Sequence, residues 1–481
     1  GRGADAAHAY LAAAEGASAA DTLELQRRAA EQLLRGGHVD EGLSVLRKVL
    51  DRVGMRLPST PRGALLSFLL RRIQLRLRGL SFRERPATEI PPDDLTRIDV
   101  CWSVSIGLSL IDTIRGRDFQ TRHMLLALNA GEPYRVARAM ANEAGYTATA
   151  GWPARRRTRQ LIDRALVLAE RVKHPHALGM ATLNAGIAAY LEGRWEAGWK
   201  LAQRCEGIFR EQCTGVAGEL NLAHVFSLKA LVFLGGLREL SERLPKLLKE
   251  AGERGDLFAA TSLRTRYSYI VNLARDDPDR ARKQLRRAAE QWSQKDFTLQ
   301  HYFQMVGDAE ISLYSGGSHS GWEDLLGRWR DLERSLLRRI QVFRIESQHL
   351  RARCALAASK SRGPSPDGQR LLRTAAKDAR RIEREDVGWG NALATSLRAG
   401  IASLQGSPKE TLEELTKAEK GFEAAEMALY AAAAKRCRGL LLGGEEGRGL
   451  VEAADLWMRG ERIRNPERMS AMLVPGRWSE P

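Results

Sequence analysis

His174-Pro175-His176 is the one place where two imidazoles stand close enough along the chain to share a metal ion. Zinc needs four ligands, and no nearby Cys, Asp or Glu completes that set at a workable spacing. The expectation is a turn between two helices, with Pro175 breaking the chain and both rings exposed. Gly317-Ser318-His319-Ser320-Gly321 has His where a G-x-S-x-G elbow needs its serine. Asp118-Phe119-Gln120 shares two letters with D-F-G, and no H-R-D loop precedes it. G-x-x-x-x-G-K-[ST] and H-E-x-x-H are both missing, so neither a phosphate cradle nor a zinc-protease pair is written here. We therefore expect no catalytic residue, no cofactor and no metal. Trp195, Trp199, Trp322 and Trp329 could stack a ligand, but separations of four and seven residues also suit packing between helices, the favoured reading.

The elements that hold these residues follow from composition. Of 481 residues 43% are hydrophobic and 28% charged, enough for a large core. Ala, Leu, Arg and Glu dominate and aromatics are only 6%, which favours helix over strand. The formal charge is +17, with arginine supplying 62 of the 76 cations. Ala154-Arg155-Arg156-Arg157-Thr158-Arg159 is the densest basic run and could meet phosphates. Elsewhere the arginines stand three or four residues from an acid, as in Arg381-Ile382-Glu383-Arg384-Glu385, the pattern of a solvated helix face.

Cys101, Cys205, Cys213, Cys354 and Cys437 are scattered, odd in number and without a C-x-x-C pair, which fits a reducing, cytoplasmic setting. Residues 100–111 form an uncharged stretch of twelve, short of the roughly 20 needed for a membrane span, and no span is expected. The chain opens on Gly1 with no basic and apolar leader, and reads as a segment of a longer polypeptide.

A unit recurs: a breaker, a bulky residue two places on, a small residue at five, and apolar residues near nine and twelve. Gly193-Arg194-Trp195-Glu196-Ala197-Gly198 with Ala202 and Cys205 is its clearest copy, and Gly37, Gly235 and Asp276 open others. Weaker copies at Gly116, Pro153, Ser320, Pro364, Gly406 and Gly447 give a mean step of about 41 residues, room for two helices and two turns. One hairpin cannot bury its own apolar stripe, whereas stacked neighbours can. The sequence predicts an all-α protein: an α-solenoid of stacked, tetratricopeptide-like helical hairpins. The expected divisions are 1–22, a linker or the end of an upstream region; 23–92, a first hairpin and a Pro-flanked basic helix; 93–460, the solenoid; and 461–481, a cap and tail. The basic helix, residues 64–78, is amphipathic only in part. It is expected to dock on the solenoid, with a membrane-surface role as the alternative.

The stretch from Asp112-Thr113-Ile114-Arg115-Gly116-Arg117 to Val136-Ala137-Arg138-Ala139, with Arg254-Gly255-Asp256-Leu257 and Asn465-Pro466-Glu467-Arg468-Met469, resembles the C-terminal helical region of large bacterial serine/threonine protein kinases fused to an AAA- or STAND-type signalling ATPase. The resemblance implies a regulatory module whose partners are a protein or peptide, the kinase and ATPase domains of the same polypeptide among them. No catalytic residue carries over. The tetratricopeptide signature is loose, with Ala185 or Gly186 where a Leu-Gly pair is usual.

The leading expectation is thus a non-catalytic, protein-interaction module, the sensor or scaffold part of a kinase-ATPase signalling protein. Its rivals are a nucleic-acid-binding solenoid, which the charge favours, and a sensor of small effectors held between aromatic side chains. Arg115, Arg117, His123, Tyr134 and Arg135 are the expected partner contacts, since Arg and aromatic residues dominate interface hot spots.

Overall fold

The computed structural model describes residues 3–109, 112–290 and 297–478; Ile111, which ends the uncharged stretch noted above, and the His319 side chain lie outside that description. Among the described residues every regular element is helical. Helix starts are fixed by short polar side chains that accept from backbone N–H groups left without a partner in the first turn. Thr60 does this for Gly63, Asp112 for Arg115, Ser365 for Gly368 and Asn465 for Arg468, each at 3.1 Å. Pro133, Pro366 and Pro408 sit in first turns, where their missing N–H costs nothing.

Within each unit, helices that follow one another pack in succession as in an α-solenoid, Pro92–Leu108 with Thr113–Ala130 near one end of the chain and Ala428–Leu442 with Gly444–Gly460 near the other. The second helices of these pairs begin at Thr113, Arg155, Trp195, Leu237, Pro278, Ser318, Pro366, Pro408 and Gly444. Their spacing runs from 36 to 48 residues around the expected 41. Three of the weak copies are not stops: Gly116, Ser320 and Gly447 lie in the first turns of the helices that begin at Thr113, Ser318 and Gly444.

The contacts divide the chain into two compact units. One comprises Gly1–Ala188, Lys200–Phe226 and Leu248–Ala260; the other Ala189–Trp199, Ser227–Leu247 and Thr261–Pro481. In the first, Leu33, Leu34, Leu46, Val49 and Leu50 from one hairpin pack on Val100, Cys101, Val104 and Phe119. The basic helix, Pro61–Arg78, docks on Thr113–Ala130 through buried Ala64 and Leu75, and the Ser67 hydroxyl donates to Asp118 at 2.8 Å. Docking was expected; the side presented was not, since Leu66, Leu69, Leu70, Ile73 and Leu77 all point outward.

In the second unit, residues far apart in sequence meet. Trp195 stacks on Phe233 at 3.9 Å and meets Trp389 edge-on at 5.4 Å, so the packing role expected for Trp195 is met. The Glu196 N–H donates to Glu426 and the Arg238 N–H to Glu461, each at 3.0 Å, while Arg462 pairs with Glu242 at 2.6 Å. Helix tips near 195 and 237 therefore clasp hairpins some 220 residues later and close this unit on itself. Helix Ala217–Leu234 has the length and apolar composition of a membrane span, with half of that stretch buried in the protein.

Gly193 makes the closure possible. Its φ is +81°, and a Cβ there would lie 2.3 Å from Trp389 Cδ1. Gly193→Ala combines left-handed strain with overpacking and is expected to cost about 2–4 kcal/mol in urea unfolding. Gly252→Ala, in open helical space, should instead be neutral or stabilise by up to about 1 kcal/mol.

Candidate effector site

The five expected contact residues serve the first unit internally. Arg115 donates to the Pro58 and Ser59 carbonyls and pairs with Asp112, tying down the loop before the basic helix. Arg117 donates to the Tyr146 carbonyl at 3.0 Å and lies over Phe68. His123 is wholly buried beside Trp102, with ring centroids 5.7 Å apart, and so presents no surface to a partner. Burial and the neighbouring Arg138 hold it neutral, well below the usual imidazole range.

Tyr134 and Arg135 belong to the same neighbourhood. Arg135 reaches Asp99 at 2.6 Å, Arg138 takes the other Asp99 oxygen, and Arg138 lies over both Trp102 and Tyr134. The Tyr134 hydroxyl meets His176 Nδ1 at 3.0 Å, and His176 Nε2 is 3.7 Å from Glu219, which Arg35 grips with two bonds of 2.7 and 2.8 Å. His176 is thus turned inward, against the expected exposed turn, because Glu219 offers its ring a buried carboxylate. His174 alone is exposed. An apolar cavity of about 80 Å³ adjoins Arg35 and Glu219, lined by Leu34, Ile106, Met180, Leu183, Leu222 and Val225, and its charged pair is already satisfied.

The second unit holds a different kind of space, a cavity of about 70 Å³. Its wall begins at a π-helical turn, Arg264–Ser268, set between Leu257–Leu263 and Tyr269–Ala274. Such turns interrupt the α-helical ladder and cluster at functional sites. Here four consecutive residues, Thr265, Arg266, Tyr267 and Ser268, are buried. Lys229, Glu310, Glu346 and Arg353 reach the same space from three further helices, with Tyr269, Tyr302, His349 and Tyr430 around them.

Charge is unequal in this cavity. Lys229 pairs with Glu346, and Arg353 pairs with Glu310 at 2.6 Å while also donating to the Met472 carbonyl. Tyr269 donates to the other Glu310 oxygen at 2.8 Å. Arg266 lies over Phe303 at 4.1 Å and has no ion-pair partner among the described residues. Three cations face two carboxylates. Tyr302 Oη, His349 Nε2, Glu346 Oε2 and Arg266 Nε are buried and make no hydrogen bond. Burial holds His349 neutral, well below its usual range, with Arg353 adding to the effect, and burial lifts the Tyr302 hydroxyl well above the phenol range. Burial also lowers Lys229, against the pull of Glu346.

This lining offers a cation, neutral donors and one free carboxylate oxygen. It carries no Ser, Thr or Cys to act as nucleophile. Among the described residues no group of three His, Cys, Asp or Glu is placed to hold a metal. None of these residues was singled out from sequence. The legible signal was a charge inside an apolar helix, Lys229 in Phe226-Ser227-Leu228-Lys229-Ala230-Leu231; Arg353 lies in a helix that carries several other charges and gave no such signal. Neither the known protein-family models nor the curated proteins contain a match to this chain.

Two outcomes follow. Burial alone would raise Asp99, but Arg138 and Arg135 hold it at about 2, below the ordinary 3.8. A depressed folded pKa gives stability that is present above the ordinary value and lost as pH falls through the folded one. Urea unfolding should therefore lose about 2 kcal/mol between pH 4 and pH 2 from this group, and Asp99→Asn should remove that part of the slope. Burial also pushes the thiols of Cys101, Cys205, Cys354 and Cys437 up to about 12. A thiol reagent should label half-buried Cys213 promptly and the other four only on unfolding.

Proposed function

We propose that this chain is a non-catalytic regulatory module that senses a small anionic effector in the Arg266 cavity. The observation that carries the reading is a buried guanidinium with no ion pair among the described residues, which Glu346 reaches only from beyond pairing distance, on a π turn, in a cavity where the Tyr302 hydroxyl and His349 Nε2 also make no hydrogen bond. An ionised group in such a place is costly unless something neutralises it. A carboxylate or phosphate would do so, with Arg266 and Tyr302 donating to it.

Size narrows the ligand. A site of about 70 Å³ has room for roughly five water-sized centres, hence for a molecule of about five or six heavy atoms. A protein segment laid along an inner groove is the less favoured reading for the second unit, because Trp195, Phe233 and Trp389 already fill that side. In the setting that the resemblance implies, a cytoplasmic kinase-ATPase polypeptide, effector occupancy would be relayed to the attached domains.

The test is a thermal-shift and calorimetric screen of small hydroxy acids, amino acids, dicarboxylates and inorganic phosphate. A ligand at a hundred times its Kd should stabilise the fold by about 2.7 kcal/mol. Arg266→Met should abolish that response while leaving the ligand-free protein within about 1 kcal/mol of the parent, or more stable, because an unpaired buried charge is gone. Loss of about 3 kcal/mol or more without ligand would make Arg266 a structural residue and end the reading. A screen in which no small anion stabilises the protein would end it too.

A further inference from the structure

The basic helix Pro61–Arg78 carries two apolar stripes, and the fold uses one. Ala64 and Leu75 are buried against Thr113–Ala130, whereas Leu66, Leu69, Leu70, Ile73 and Leu77 are 49 to 83% exposed. Offsets of three, four, seven and eleven place those five on a single line along the helix, opposite the buried pair. They make up five of the eleven large apolar side chains exposed in the described residues, so this is a concentrated patch and not scatter.

Its surroundings carry one sign. The helix has Arg62, Arg71, Arg72, Arg76 and Arg78 and no acidic residue. Arg72 is held by Glu143 and Arg71 faces Asp118, which leaves Arg62 and Arg76 exposed beside the stripe with no ion pair among the described residues. Arg157 stands close enough to that Arg72 and Glu143 to feel both charges. Through it the patch adjoins the start of Arg155–Val172, where Arg155, Arg156 and Arg159 are exposed and Trp152, 40% exposed, lies 3.6 Å beneath Arg155.

We propose that this face of the first unit docks on an anionic lipid bilayer, the five aliphatic side chains entering the headgroup boundary and the arginines meeting lipid phosphates and carboxylates. Leucines flanked by arginine, with a tryptophan at the edge, are the composition of a helix lying in the membrane plane. Arginine stems can lie along apolar surface while their heads reach the charged layer. A second copy of the chain is a poor occupant, since two such helices would bring arginine to arginine with no acid between them. Nucleic acid is poor too: its phosphates would satisfy the arginines and leave the leucines in water. The inference does not depend on the Arg266 cavity.

The full chain should sediment with phosphatidylcholine vesicles containing about 30% phosphatidylserine, and far less with phosphatidylcholine alone. Leu70→Ser combined with Leu77→Ser should weaken that binding about tenfold with helicity and Tm unchanged, because both side chains face solvent. Arg62→Gln with Arg76→Gln should weaken it several-fold and reduce its salt dependence. The proposal fails if the parent chain ignores anionic vesicles, or if the double serine variant binds them as the parent does. It fails equally if ultracentrifugation shows a dimer that the serine variant dissolves, or if the same leucines prove to hold an acidic peptide and not vesicles.

Discussion

A guanidinium taken out of water must meet a carboxylate, and in a helical stack the two come from different elements. That requirement organises both units. Arg35 crosses to Glu219, Arg135 and Arg138 share Asp99, Arg351 holds Asp378, and Arg353 holds Glu310. Each pair joins helices that are not neighbours in sequence, or are neighbours only through a turn. Breaking one leaves a buried charge, at a cost of about 3–5 kcal/mol, far more than an exposed pair is worth. Apolar burial supplies the bulk of the stability, while these pairs fix which helix lies against which. Arg266 stands apart as the exception, and an exception to so consistent a rule is where a ligand is to be sought.

Local chemistry was readable from the chain. Gly37, Gly193, Gly235 and Asp276 were read as breakers, and all four have positive φ between helices. Two of the misread copies fail for a stated reason: Gly116 and Gly447 are small because the first turn of a helix passes close to its neighbour, whereas Ser320 is exposed. Gly116 approaches the Tyr146 hydroxyl, and Gly447 lies against the Gly439 carbonyl. A glycine selected for close approach and one selected for positive φ look alike in a sequence. Burial of Trp195, Trp322 and Trp329 follows from helical spacing, which needs no knowledge of distant contacts.

The candidate site was out of reach because its parts stand far apart. Lys229, Arg266, Glu310, Glu346 and Arg353 meet only once the second unit closes on itself. Spacing along one helix cannot report that. The density of Arg and aromatic residues drew attention instead to Arg115, Arg135 and Tyr134. Such density marks an internal network as readily as an interface, since a buried arginine also needs aromatic faces and carboxylates. The basic helix shows a related ambiguity. Its two apolar stripes cancel when averaged around the helix, so the pattern looked only partly amphipathic, although each face is coherent.

Net charge takes on meaning once the inward arginines are set aside. Those that pair with Asp99, Glu219, Glu310 or Asp378 are already offset in the +17, where these carboxylates are counted against them, and they add little to the field outside. The field felt by a partner comes from exposed groups, and Arg62, Arg76, Arg155, Arg156 and Arg159 are concentrated in one part of the first unit. Five exposed aliphatic side chains share that region, and they decide between partners of equal charge. A phosphate backbone rewards arginine alone, whereas a lipid surface rewards arginine and leucine together, the first in the headgroups and the second beneath them. The same total charge that seemed to favour nucleic acid thus points, residue by residue, to a surface with an apolar layer below its anions.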